Sequence, residues 1–102
     1  MRYQRTIKRI VTVKGIGLHT GRKVNMKLVP APENTGIVFI RRDLGCRAIN
    51  VNISSVVDTR LSTNLRSNGA EVKTVEHLLA SLSGLGLDNV YVELDAPEVP
   101  IM

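Results

Sequence analysis

Hydrophobic and polar positions alternate with a period of two residues over much of the chain. The clearest stretch is 23–29, where Val24, Met26 and Leu28 stand against Lys23, Asn25 and Lys27. This predicts a half-buried strand, stopped by Pro30 and Pro32. Arg5 to Val13 is rich in β-branched residues, with Ile7, Val11 and Val13 in one parity and Thr6, Lys8 and Thr12 in the other. It predicts an earlier strand, broken by Gly15 and Gly17. The turn sequence Asn34-Thr35-Gly36 leads into an unbroken apolar run, so Ile37 to Arg41 predicts a strand covered on both faces. Ile49, Val51 and Ile53 alternate again, Leu61 to Leu65 predicts another strand, and Asn89 to Asp95 a last one with Val90, Val92 and Leu94 facing one way. Residues 54–59 read as a short helical turn or a loop.

One segment changes period. Val75, Leu78, Leu79 and Leu82 fall at i, i+3, i+4 and i+7, which predicts a helix over Thr74 to Ser83 with one apolar stripe, ended by Gly84 and Gly86. Strands outnumber helices, so the class is α+β. The expected architecture is a mixed or antiparallel sheet of roughly four to six strands, with the helix laid on one face. Ala96-Pro97-Glu98-Val99-Pro100 is extended and turn-like, and the chain closes on Ile101-Met102 without a polar taper, as a cut domain would.

The chain has 102 residues with 14 Lys+Arg against 9 Asp+Glu, and the charge is uneven, +9 over residues 1–51 and −4 over residues 52–102. A basic half can meet phosphates, nucleic acid or an anionic membrane surface, but interleaved Lys and Arg are also the wet face of a sheet. At 43% hydrophobic residues the composition excludes a disordered or collagenous chain. No apolar run approaches the roughly 20 residues of a membrane span. The basic start is not followed by an apolar stretch, so no secretory signal is expected. Cys46 alone cannot form an internal disulfide, which fits the reducing cytoplasm. The aromatics Tyr3, Phe39 and Tyr91 are dispersed and form no base-stacking platform. A small basic α+β module binding RNA through phosphates, or binding a partner protein, stays as the alternative reading.

Candidate chemistry centres on the histidines, His19 and His77. His77 follows Glu76 in the first helical turn, where both side chains can border a site at the helix end, although an adjacent Glu-His pair there is also what surface capping looks like. His19 lies in the glycine loop Gly15-Ile16-Gly17-Leu18-His19-Thr20-Gly21, where a histidine held by backbone hydrogen bonds is the simpler reading. A catalytic zinc needs several protein ligands and an open position. With no His-Glu-x-x-His or Cys-x-x-Cys run, any such site must be completed elsewhere. The loop lacks the Gly-Lys-Ser/Thr ending of a phosphate cradle and the spacing of a dinucleotide fingerprint.

Three ordered segments taken together resemble a known family. The loop Gly15–Gly21, the run Lys73-Thr74-Val75-Glu76-His77-Leu78-Leu79-Ala80, and Asp95-Ala96-Pro97-Glu98-Val99-Pro100-Ile101-Met102 resemble UDP-3-O-acyl-N-acetylglucosamine deacetylases of Gram-negative bacteria. The likeness extends over essentially the whole chain, through Gln4-Arg5-Thr6, Pro30-Ala31-Pro32 and Asp58-Thr59. It implies a cytoplasmic zinc-dependent amidohydrolase that removes acetyl from the 2-amino group of UDP-3-O-acyl-N-acetylglucosamine in lipid A synthesis. It also implies a ribosomal-protein-S5-domain-2-like fold. Carried over by residue, His77 matches a zinc ligand and Glu76 the carboxylate that takes the proton of the attacking water. His19 matches the histidine of the family's glycine loop near the active site, and Leu61, Ser62 and Thr63 match a segment lining the acetyl end. Many relatives have cysteine at the position of Ser62, where a second, inhibitory zinc can be held, and serine here departs from that pattern. The family continues past Met102 with Asp-Gly-Ser and a second domain holding the remaining zinc ligands and the histidine that protonates the leaving amine. Residues 1–102 are therefore expected to form a single N-terminal domain carrying one Zn2+ ligand, inactive alone. Its expected partners are the UDP-sugar and the missing C-terminal domain, or a second copy of the fragment, with no nucleic acid.

Overall fold

The computed structural model describes residues 3–51, 56–58, 63–67 and 69–100. Five strands form one sheet: β1 (Val11–Ile16), β2 (Lys23–Pro30), β3 (Ile37–Arg41), β4 (Arg47–Asn50) and β8 (Val90–Leu94), in the order β1-β2-β8-β3-β4. All neighbours are antiparallel except β3 and β8, which run parallel. A parallel pair needs a crossover. Here the crossover carries β4, a second antiparallel sheet of β5 (Val56–Asp58), β6 (Thr63–Ser67) and β7 (Ala70–Val72), and the helix α1 (Glu76–Gly84). The class is α+β, as the alternation predicts.

The register explains the core. Met26 pairs with Leu94, Leu28 and Phe39 pair with Val92, and Phe39 pairs with Ile49, so one parity of each strand lines one face. Val24, Met26, Phe39, Ile49, Val90, Val92 and Leu94 are buried there in one cluster with Leu65, Ala70 and Val72 of the small sheet, Val75 at the helix entry, and Leu78 and Leu82 of the helix. Leu79 is half-buried against the same cluster, completing the predicted stripe. Each large apolar side chain so covered contributes roughly 1.5–3 kcal/mol. Lys23, Asn25 and Lys27 lie on the exposed face, where the sheet meets water. Val38 and Phe39, which point to opposite faces, are both buried, as the unbroken run Ile37–Ile40 predicts.

The elements depart from the pattern in four places. The first strand covers 11–16, not 5–13, and runs through Gly15, which pairs with Val24 rather than breaking the strand. Residues before it follow the turn ahead of β8 instead: the amides of Asp88 and Asn89 donate to the Arg5 carbonyl at 2.9 and 3.1 Å, and the Arg5 amide donates to Asp88 Oδ2 at 2.8 Å. Residues 56–58 form a strand, not a helical turn or loop, through the β-branched pair Val56-Val57, while 54, 55 and 59 lie outside the described residues. β6 begins at Thr63 and β7 is an added short strand, while Ile53, Leu61 and Ser62 lie outside the described residues. Finally, α1 begins at Glu76 rather than Thr74, because Thr74 holds a left-handed backbone with φ 63°.

The two sheets are tied by a buried cation. Arg41, at the end of β3, donates through Nε and Nη2 to both oxygens of Asp43 at 2.8 and 2.6 Å, and through Nη1 to the Glu71 carbonyl of β7 at 2.6 Å. The hydrogen bond from Arg41 holds the Asp43 carboxyl below the usual carboxylate range.

Candidate active site

The turn that enters α1 is set by an unusual backbone. A β-branched residue at positive φ is a steric outlier, and left-handed geometry costs roughly 1–2 kcal/mol for an ordinary residue. Thr74 keeps it because its amide and its hydroxyl are both bound. Its amide donates to Asn64 Oδ1 at 3.0 Å, and its hydroxyl donates to Glu98 Oε2 at 2.7 Å. Beside it the Lys73 amide donates to the Pro97 carbonyl at 2.7 Å and the Val99 amide to the Lys73 carbonyl at 3.1 Å, a short parallel bridge. Val75 then begins the helical backbone with no side-chain cap, and Glu76 and His77 form the first turn. Glu76 is half-buried and the His77 imidazole is exposed. A capping role for this pair therefore does not arise at the Ncap position, which Val75 occupies.

The glycine loop closes against the same place. Gly17 bridges to Pro100, its amide donates to the Arg22 carbonyl at 2.9 Å, and the Gly21 amide returns to the Gly17 carbonyl at 3.0 Å. The His19 amide lies 3.0 Å from both carboxylate oxygens of Glu98, and the Thr20 amide donates to Oε1 at 2.8 Å. His19 is thus a backbone-anchored loop histidine whose imidazole faces solvent. Two of the three glycines have distinct reasons. Gly21 sits at φ +66°, whereas a Cβ on Gly17 would collide with Glu98 Oε1 and lie 2.6 Å from Thr20 Oγ1. Gly15 is simply a strand residue.

Glu98 is fully buried. Burial pushes its carboxyl up, but the Thr20 amide, the Thr74 hydroxyl and the His19 amide together outweigh that and hold it below the usual carboxylate range. It is therefore an anion at neutral pH, solvated among the described residues by N–H and O–H groups rather than by a cation.

The predicted residues are brought together unequally. Glu76 and His77 share the first turn of α1, and His19 is joined to the entry of that turn through Glu98. Thr63 opens β6 one residue before Asn64, whose side chain fixes the Thr74 amide, while Leu61 and Ser62 lie outside the described residues. Among the described residues, no group of three or more His, Cys, Asp or Glu side chains is placed to hold a metal. His77 offers one exposed imidazole, a suitable donor for one position of a zinc site. Sequence reasoning missed Asn64, Thr74 and Glu98 as working parts. The available signal was a lone carboxylate inside the apolar, proline-flanked segment 96–100.

The three segments that converge on Glu98 are those that carried the resemblance. The chain matches the family described as "LpxC: UDP-3-O-acyl N-acetylglycosamine deacetylase" over residues 4–102. A protein of Acidithiobacillus ferrooxidans named UDP-3-O-acyl-N-acetylglucosamine deacetylase is 57% identical over 97% of this chain and 33% of its own length. Identically named proteins of Syntrophus aciditrophicus and Chromohalobacter salexigens are 48% and 54% identical, covering 100% and 97% of this chain and 33% of their own length in each case. The chain spans about a third of the length of these relatives. A match that runs from residue 4 to residue 102, through every segment that meets at Glu98, places the chain in the UDP-3-O-acyl N-acetylglycosamine deacetylase family, to which it belongs.

Proposed function

We propose that this chain is the N-terminal domain of a cytoplasmic, zinc-dependent deacetylase that hydrolyses the 2-acetamido group of UDP-3-O-acyl-N-acetylglucosamine in lipid A biosynthesis. The observation that carries the reading is the first turn of α1, which presents Glu76 beside an exposed His77 from an entry tied to the His19 loop. The relatives' shared name and their threefold greater length support it. His77 Nδ1 or Nε2 would hold zinc together with ligands from a second domain, and zinc, when bound, polarises the acetamide carbonyl and acidifies water. A carboxylate oxygen of Glu76 accepts the proton of the attacking water, which suits a half-buried carboxylate at the mouth of a site. His19 and the segment Leu61-Ser62-Thr63 bind substrate near the acetyl group.

Glu76 and His77 are expected to fail differently in a full-length chain carrying these residues. Glu76→Gln keeps size and hydrogen-bonding reach but cannot take the proton, so zinc content should stay near normal while turnover falls by about 10²–10⁴-fold. His77→Ala removes a ligand, so zinc occupancy should drop and activity should partly return with excess metal. Metal analysis beside deacetylation rate on the same purified variants decides the matter. A near-normal rate for Glu76→Gln, or full zinc and activity for His77→Ala, would overturn these roles.

A further inference from the structure

Among the described residues, the partners of the buried Glu98 anion are N–H and O–H groups, with no cation. Such a group is a poor device for stability, since a well-packed apolar residue would avoid desolvating the charge. What it does instead is geometric. Oε1 takes the amides of His19 and Thr20, and Oε2 takes the Thr74 hydroxyl with a share of the His19 amide. The donors lie on two irregular segments, the loop between β1 and β2 and the left-handed turn before α1. Each segment makes one backbone bridge to residues 97–100, Gly17 to Pro100 and Lys73 to Glu98, and between these bridges the carboxylate joins the His19-Thr20 backbone directly to the Thr74 hydroxyl. The close approach of Gly17, where a Cβ would strike Glu98 Oε1, shows how tightly the loop is drawn down onto it.

We propose that Glu98 is a positioning residue for the deacetylation, holding the His19 loop in register with the Thr74 turn that presents Glu76 and His77. This rests on the function proposed above. Displacing the Thr74 turn would move Glu76 relative to the water it deprotonates, displacing the loop would move His19 relative to the substrate, and small misplacements cost large factors in rate. Thr74 works as the other half of the device, because its hydroxyl is the link between the carboxylate and the helix entry.

The test uses the full-length chain carrying these residues, with rates expressed per folded, zinc-loaded molecule. Glu98→Gln keeps the shape but turns one acceptor oxygen into a donor facing donors. Its kcat should fall by about 10–100-fold while KM changes by less than about threefold. Thr74→Val, which keeps the branching and loses the hydroxyl, should fall by a similar factor, and Thr74→Ser, which restores the hydroxyl, should return to within about twofold of the parent. Glu98→Gln combined with Thr74→Val should lose little beyond either alone, as two parts of one link do. Should Glu98→Gln not fold, the Thr74→Val and Thr74→Ser pair carries the same comparison. The proposal is overturned if kcat per loaded molecule is within twofold of the parent in both Glu98→Gln and Thr74→Val, or if Thr74→Ser is as slow as Thr74→Val. Glu76→Gln, run alongside, separates the two readings. A dead Glu76→Gln with a normal Glu98→Gln removes only the positioning role, whereas an active Glu76→Gln removes the proposed function and the positioning role with it.

Discussion

Gly17→Ala isolates the contact on which the loop is built. The added methyl would collide with Glu98 Oε1, lie 2.6 Å from Thr20 Oγ1 and 3.0 Å from Glu98 Cδ. A flexible side-chain end could swing clear, but this carboxylate is held by the His19 and Thr20 amides and the Thr74 hydroxyl. Relief requires breaking at least one hydrogen bond to a charged group, or lifting the loop away, at about 3 kcal/mol. Gly21→Ala is the internal control. It meets nothing within 4 Å, so its cost should be only the left-handed backbone at φ +66°, about 1 kcal/mol. Urea unfolding of the 102-residue chain, followed by far-ultraviolet circular dichroism, should give both differences as shifts in midpoint with the slope unchanged. Glu98→Ala removes the fixed carboxylate and leaves only Thr20 Oγ1, a hydroxyl at a side-chain end that can rotate away, so Gly17→Ala should cost less in that background, with a coupling of about 2 kcal/mol. If Gly17→Ala is no worse than Gly21→Ala, or if the Gly17 and Glu98 effects simply add, the collision is not what makes Gly17 glycine.

Other outcomes follow from the same geometry. Because the Glu98 carboxyl is held below its ordinary value of 4.5, its contribution to stability is complete above that pH and is lost as pH falls through the lower folded value. The difference in urea midpoint between the parent chain and Glu98→Gln should therefore shrink below about pH 4.5 and be steady from pH 5.5 to 7.5. A difference that widens in acid would refute this. Arg41→Met should cost about 2 kcal/mol by stranding Asp43 and the Glu71 carbonyl, and Arg41→Lys should recover only part of it because an ammonium cannot bind both oxygens of Asp43 in parallel. Full recovery with Lys, read from thermal melts, would deny the fork its role. The isolated chain exposes Leu85, Leu18 and Ile16 at 67%, 61% and 51%, so sedimentation should detect concentration-dependent self-association, and a monomer over a wide range would argue against it.

Legibility in the sequence followed the number of consecutive residues sharing one environment. β2, β3 and β8 were readable because each has one or both faces covered along its whole length, so polarity reports position directly. The N-terminal segment misled because Ile7, Val11 and Val13 share a parity although only the last two belong to β1. The Arg5 region spends its backbone bonds on the turn before β8 rather than on a ladder, and composition does not encode that choice. Gly15 reads as a breaker in sequence, but glycine in a strand is disfavoured only by entropy and packing, and pairing with Val24 outweighs both. β7 was unreadable because three residues are too few to show alternation.

The site was legible in its parts and not in its connection. Glu76 and His77 follow from an apolar period that fixes where the helix starts to within two residues, and the glycine loop follows from its spacing. Nothing local ties residue 19 to residue 74, because the tie runs through a carboxylate 79 positions from His19 and 24 positions from Thr74. Long-range polar links leave no periodicity. Glu98 breaks an otherwise apolar segment, and an acid that interrupts a buried run must either reach water or find donors. Here the donors from the glycine loop are backbone amides, which every residue carries, so the residue types at 19 and 20 do not advertise the bond. The residue types that do matter to it are Thr74, which supplies the hydroxyl, and Gly17, since only the absence of a side chain lets the carboxylate occupy that space. A glycine at positive φ can be guessed from turn chemistry. A glycine required by close approach identifies itself only when the approaching group is known, which is why Gly17 and Glu98 had to be recognised together.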